Sequence, residues 1–184
     1  MAEIKSPVPV KYFVAVLYGS EEYLGKAKLL MEELWGDIDY EGKAHLFDVT
    51  EYYKPEMGWP IFRKLLSFEK LMLPSFIVEI KIRCNQLEQQ LAVENKRTVN
   101  LDAGYLDHNK VVLASAKEAG QKVYLDRGIY ADLAGRYKSG KYQPFEWSFP
   151  DFRDGRYDTE LLAIRKKCII QIREYLSLKS TQVD

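Results

Sequence analysis

The stretch KYFVAVLYGSEEYLGKAKLLMEELWG, residues 11–36, decides the fold class. Its first eight residues, Lys11 to Tyr18, form an almost unbroken apolar run of strand length, as expected for a strand covered on both faces. Gly19 breaks the run. Ser20 is an N-cap residue type, and Glu21 and Glu22 suit the positive end of a helix dipole. Tyr23, Leu24, Ala27, Leu30, Met31, Leu34 and Trp35 then recur at helical spacing, and Gly36 is a stop. A buried strand running straight into an amphipathic helix implies a sheet with helices packed on it.

Further along, a second strand is expected over Lys43–Val49, followed by an aromatic, proline-bearing loop, TEYYKPEMGWP, at residues 50–60. A third strand is expected within Ile61–Leu73. Pro74 and Ser75 open a second helix, with Ile77, Ile80, Cys84, Leu87 and Leu91 on one stripe. Phe76, Val78, Ile80 and Ile82 also alternate as a strand would, but the pattern runs on to Ala92, and that length decides for a helix. Strands follow at Arg97–Leu101, Lys110–Ala114, Lys122–Leu125 and Ile129–Tyr137, with a hairpin tip at residues 138–141. Phe145–Tyr157 reads as irregular. A last helix begins near Asp158 and carries Leu161, Ile164, Cys168, Ile172 and Tyr175. The expected class is α+β: a mainly antiparallel sheet with helices packed on it, in ferredoxin-like βαββαβ order, then a β-rich extension and a C-terminal helix. A single domain over residues 1–184 is expected, with an ordered core at about 9–178 and polar tails.

Hydrophobic residues make up 47% of the chain, enough for a real core. Twenty-seven Lys+Arg balance 27 Asp+Glu, which disfavours a nucleic-acid partner, since such binding rests on a basic surface. No window approaches 18 continuous apolar residues and Met1–Val10 lacks a leader pattern, so a soluble, cytoplasmic protein without a membrane partner is expected. Cys84 and Cys168 lie far apart on apolar stripes and read as reduced, buried thiols. Without a CxxC pair there is no structural-zinc pattern. No Walker A loop and no GxSxG elbow is present. His45 falls inside a strand pattern and His108 in a turn, so neither reads as a catalytic base.

Three segments place charged and aromatic residues where binding groups gather: Asp48–Trp59, Arg97–Tyr105 and Trp147–Arg153. In the second, Asn100 and Asp102 share one strand face while Val99 and Leu101 take the other. Each segment also has a plain structural reading, as a lid over the core, a solvated strand face or a surface turn. The carboxylates left for chemistry are Asp48, Glu56, Asp102, Asp126, Asp132 and Asp151, at spacings that match no metal motif.

VTEYYKPEMG at residues 49–58, IKIRCNQLE at 80–88, RTVNLDAGYL at 97–106, KVYLDRGIYADL at 122–133 and WSFPDFR at 147–153 together resemble a bacterial family of unknown function, domain-of-unknown-function family 4416. The resemblance implies that the polar segments are shared signatures. It implies no activity. The family pattern carries proline at the position of Ala103 and a histidine within Glu118–Gln121, and this chain departs at both.

The leading expectation is a pocket where these segments converge, lined by Tyr53, Glu56, Arg63, Lys81, Asn85, Asn100, Asp102, Arg127 and Asp151. Lys81, Asn85 and Glu88 fall along one helix side, displaced from the apolar stripe. Mixed cations and carboxylates suit a small anionic molecule or a nucleotide, with a divalent cation as a further candidate. No catalytic residue or metal ligand is assigned, and oligomeric state is not indicated. The rival expectation is a non-catalytic interaction module using the Tyr/Trp-rich loops. RNA binding through stacked aromatics is a weaker third.

Overall fold

In the computed structural model, which describes residue 1 and residues 3–181, nine strands form one sheet. They are β1 (Val10–Tyr18), β2 (Ile38–Glu41), β3 (His45–Leu46), β4 (Phe62–Met72), β5 (Val99–Leu106), β6 (Lys110–Ser115), β7 (Val123–Asp126), β8 (Ile129–Lys138) and β9 (Lys141–Pro144). The order is β2-β4-β1-β5-β6-β8-β7, with β3 also on β4 and β9 also on β8. Every pairing is antiparallel. The helices are α1 (Glu21–Trp35), α2 (Lys54–Met57), α3 (Ile77–Leu91), α4 (Pro150–Arg153) and α5 (Asp158–Thr181). Among the described residues no helix is long and apolar enough to cross a membrane.

The apolar run of β1 is buried throughout because both its faces are covered. Val10, Tyr12, Val14, Val16 and Tyr18 pack with Leu24 and Met31 of α1 and Ile80 and Cys84 of α3. Phe13 and Ala15 face the other way, against Leu161, Ile164 and Cys168 of α5. Burial of this much apolar surface is the main stabilising term, at roughly 25 cal/mol per Å². Lys11 is tolerated inside the run because its ammonium reaches Asp39 Oδ2 at 2.6 Å and Gln171 Oε1 at 2.7 Å.

Of the strand expected over Lys43–Val49 only the two residues of β3 pair with β4, and a further short strand, β2, which was not expected, pairs with β4 before it. The chain leaves the sheet at Phe47, whose ring packs with Leu17 and Ile61 in a small separate cluster that the loop Val49–Met57 covers. The opening elements therefore run β-α-β-β-α-β-α-β, longer than the six expected. Pro74–Phe76 forms a 3-10 turn before α3, and the irregular stretch from Phe145 contains the short α4. The last helix runs on to Thr181. Of the expected polar tails, residue 2 and residues 182–184 lie outside the described residues.

One departure from a regular sheet matters for everything below. β5 pairs with β1 along its full length, from Val99 to Leu106. With β6 it pairs only at Gly104–Leu106. β6 meanwhile stays paired to β8 from Lys110 to Ser115. Toward Val99 on one side and Ser115 on the other the strands part, leaving a notch. Gly104 sits at the fork. A Cβ there would lie 2.8 Å from Val112 O and 2.9 Å from Phe13 Cζ, so its glycine serves close strand approach, not a turn or a ligand.

Candidate functional site

Inside the notch β5 keeps β1 on one side and has no strand partner on the other, yet the Leu101 backbone that faces the gap is satisfied. The Leu101 N–H donates to Glu88 Oε1 at 2.6 Å, and Lys81 Nζ donates to Leu101 O at 3.0 Å. Lys81 and Glu88 are seven residues apart, two turns of α3, and so lie on one face. Their buried side chains rise through the gap and take the bonds a neighbouring strand would have made. The polar stripe expected along α3 therefore has a definite task.

Above them lies a cleft of about 340 Å³. Asn100 and Asp102 of β5 form one wall and Asp132 of β8 lies on the other side. The floor is Lys81, Asn85 and Glu88, and the rim carries Tyr52, Tyr53, Lys117, Lys122 and Phe149. Glu56 grips Arg97 at the edge, with Nε to Oε2 at 2.7 Å and Nη2 to Oε1 at 2.5 Å. That pairing holds the Glu56 carboxyl below its ordinary value. Arg97 Nη1 also donates to Asn100 Oδ1 at 3.1 Å. Because a guanidinium only donates, this contact fixes the amide orientation and leaves Asn100 Nδ2 as the free donor. Nδ2 is buried with no partner among the described residues.

Asp132 is more unusual. It is only 4% exposed, its Oδ1 is buried without a partner, and no ammonium or guanidinium of the described residues lies within 4.0 Å. Burial pushes its carboxyl above the ordinary aspartate value, with Lys122 pulling the other way. Burial likewise raises Glu88, against the pull of Lys81. On the cationic side, Lys81, Lys117 and Lys122 have no carboxylate within 4.0 Å among the described residues. Lys122 Nζ rests on Ser115 Oγ at 2.9 Å and Lys117 O at 3.2 Å. The Lys117 ammonium stands 5.3 Å from the centre of the Tyr52 ring.

Five residues expected from the sequence thus converge here: Tyr53, Lys81, Asn85, Asn100 and Asp102. Glu56 stands one step back, holding Arg97 and facing an adjoining groove. Arg63 and Asp151 do not line the cleft. Arg63 is buried behind Asp102, with Nη2 2.8 Å from Asp102 Oδ2 and Nη1 on Asp151 Oδ2. Phe47 covers its guanidinium at 4.7 Å and Phe152 at 6.0 Å. Asp151, turned inward by α4, also accepts from Tyr157 Oη at 2.9 Å. Both are structural because only a paired charge survives at that depth.

Arg127 lies elsewhere altogether. It occupies the β7–β8 turn at φ 48° and pairs with Glu79 at 3.1 Å. The groove it borders, with Val78, Tyr105 and Tyr124, is larger at about 510 Å³. Its charged groups, Asp126 and Arg127, are exposed and already paired. Cys84 and Cys168 are free and buried, with thiols pushed up to about 12 and about 11 by burial, which makes them poor nucleophiles. Among the described residues no group of three His, Cys, Asp or Glu is placed to hold a metal ion.

Arg97 and Phe149, from two of the marked segments, join the cleft although they were not among the expected lining residues, as do Lys117 and Lys122. Lys117 comes from a loop with no periodicity, and Lys122, expected to open a strand, lies just before β7. Asp132 carried a fainter signal, a lone carboxylate inside the alternation of IYADLAGRY.

A family model described as Domain of unknown function (DUF4416) matches residues 8–168, a span that includes every wall of this cleft. No curated protein and no solved structure matches the chain.

Proposed function

This chain belongs to the DUF4416 family of domains of unknown function, and we propose that it binds a small anionic molecule in the notch between β5 and β6. One observation carries the reading: three ammonium groups, those of Lys81, Lys117 and Lys122, border one cleft with no carboxylate partner within 4.0 Å among the described residues. The neighbouring guanidinium groups are already neutralised, Arg97 by Glu56 and Arg63 by Asp102 and Asp151. Three ammonium groups without an ion-pair partner therefore border the space where a ligand would sit, and Lys81 among them is buried, so charge-assisted hydrogen bonds to an anion count for more there than in water.

The cleft's volume suits a metabolite and not a polymer. A nucleotide remains within the class, with Tyr52, Tyr53 and Phe149 as apolar rim. The competing reading, a docking surface built from the tryptophan-bearing loops, has less to stand on. Trp59 lies against Lys54 at 4.1 Å, and Trp147 stacks on Phe145 at 4.8 Å with its Nε1–H bonded to Leu133 O.

A thermal-shift screen of nucleotides, sugar phosphates and inorganic anions tests the proposal. A ligand at about a hundred times its dissociation constant should stabilise the protein by roughly 2.7 kcal/mol. Joint replacement of Lys81 and Lys122 by methionine should remove that shift. No shift with any anion would overturn the reading.

A further inference from the structure

The lysines account for an anion, but they leave two buried groups of the same cleft unexplained. Asp132 Oδ1 is an acceptor and Asn100 Nδ2 a donor, each in a side chain at least nine-tenths buried, and neither has a partner among the described residues. They belong to different strands, β8 and β5, so one local packing compromise does not explain both. Orphaned polar groups at this depth are costly, and native proteins keep few of them. The nearby cation gives Asp132 no hydrogen bond, because Lys122 Nζ donates to Ser115 Oγ and Lys117 O instead.

A bare tetrahedral anion would satisfy the lysines and do nothing for Asp132, which would repel it. A ligand that answers the whole cleft carries an anionic group for the ammonium groups and, apart from it, one group that donates a hydrogen bond to Asp132 and another that accepts one from Asn100. Hydroxyls can serve in either role. Three unpaired ammonium groups match the double charge of a phosphomonoester better than the single charge of a carboxylate.

Building on the anion-binding reading above, we infer that the ligand is a hydroxylated phosphomonoester of the sugar- or polyol-phosphate type, with one ligand hydroxyl donating to Asp132 and another accepting from Asn100. Asp132 then sets specificity, and the lysines set affinity for the phosphate. A site built to hydrogen-bond a hydroxyl rejects analogues lacking it, because its own buried groups are left unpaired.

The test is a thermal-shift and calorimetric titration of the intact protein with two matched sets of probes. One set holds glycerol 3-phosphate, ribose 5-phosphate and glucose 6-phosphate. The other holds alkyl phosphates of similar length without hydroxyls, together with inorganic phosphate. At least one hydroxylated ester should bind roughly 10–100-fold more tightly than its alkyl counterpart, the usual worth of a hydrogen bond to a charged group. In Asp132→Asn that preference should shrink towards unity while alkyl phosphate binding is kept or improved. Equal binding of both sets to the native protein, or a preference that persists unchanged in Asp132→Asn, would overturn the inference while leaving the anion site standing. If no phosphate ester of either set binds, this inference fails, and the anion site fails with it only if none of the nucleotides or inorganic anions of the first screen binds either. Should the variant not fold, the comparison of probe sets on the native protein decides alone.

Discussion

Arg63 and Asp102 meet at 2.8 Å, Nη2 to Oδ2, and through that contact the wall of the cleft is fastened to the protein interior. Asp102 is the outer member of the trio, its side chain 28% exposed, whereas that of Asp151 on the far side of Arg63 is 1% exposed. The two carboxylates therefore differ in what their loss would do, although both neutralise the same guanidinium.

Asp151→Asn should be the more damaging change, at about 3–5 kcal/mol, because it leaves Arg63 buried with one partial counter-charge and weakens the bond from Tyr157. Asp102→Asn should cost about 1–3 kcal/mol, since solvent and Asp151 still serve the arginine. Urea unfolding midpoints at unchanged m-value give both numbers. Equal costs would contradict this division of labour.

Asp132→Asn should stabilise the unliganded protein by about 1 kcal/mol near neutral pH, read as roughly 2–4 °C in Tm. Its carboxyl is raised in the folded state by burial, so the stability it permits is fully present below the ordinary aspartate value of 3.8 and is lost as pH rises through the folded value. The gap between variant and native protein should widen from pH about 4 upward. A gap that is constant with pH would contradict the unpaired carboxylate.

Glu56→Gln should behave in the opposite sense. The Glu56 carboxyl is lowered, first by its bond to Arg97, so its contribution is present above the ordinary glutamate value of 4.5 and is lost as pH falls through the folded value. The ion pair is partly exposed, 26% and 29% for the two side chains, which limits the loss to below about 1 kcal/mol and makes it sensitive to salt. Thermal melts from pH 3 to 7 at low and high salt would check both statements.

Gly104→Ala should cost about 1–3 kcal/mol, the usual penalty of overpacking. The added methyl would press on Val112 O, Leu113 Cδ2 and Phe13 Cζ at 2.8–2.9 Å, and relief comes only by widening the fork between β5 and β6. Anion affinity should therefore fall along with Tm, whereas Arg127→Ala, distant from the cleft, should change Tm by a few tenths of a kcal/mol equivalent and leave affinity alone.

The sheet and its helices were legible wherever side-chain period and length agreed. The double burial of β1 shows in the unbroken run of residues 11–18, and α3 in the stripe from Ile77 to Leu91. The shortening of the expected Lys43–Val49 strand to β3 was not legible, because Phe47 leaves the sheet to pack on Leu17 and Ile61, contacts that no local pattern encodes. At the cleft, Lys81, Asn85, Asn100 and Asp102 could be read because helix and strand periods fix their direction. Arg63 and Asp151 were misplaced for the converse reason. A charged residue in a loop or strand does not announce whether its partner is a ligand or another residue, and here each is the other's partner. Arg127 was drawn in by a sequence motif alone.

The way Lys81 and Glu88 occupy the backbone of Leu101 also bears on how the molecule protects itself from its own kind. A strand edge with free amide and carbonyl groups is a template for a stray chain, and the usual guards are edge charges, bulges or prolines facing outward. Here the guard is a helix reaching in from behind. Protection of the Leu101 amide against hydrogen exchange therefore depends on α3 staying docked and not on strand pairing. Whenever the helix lifts, a bare β edge is uncovered at the same moment, so loosening of α3 and the onset of intermolecular aggregation should share one rate.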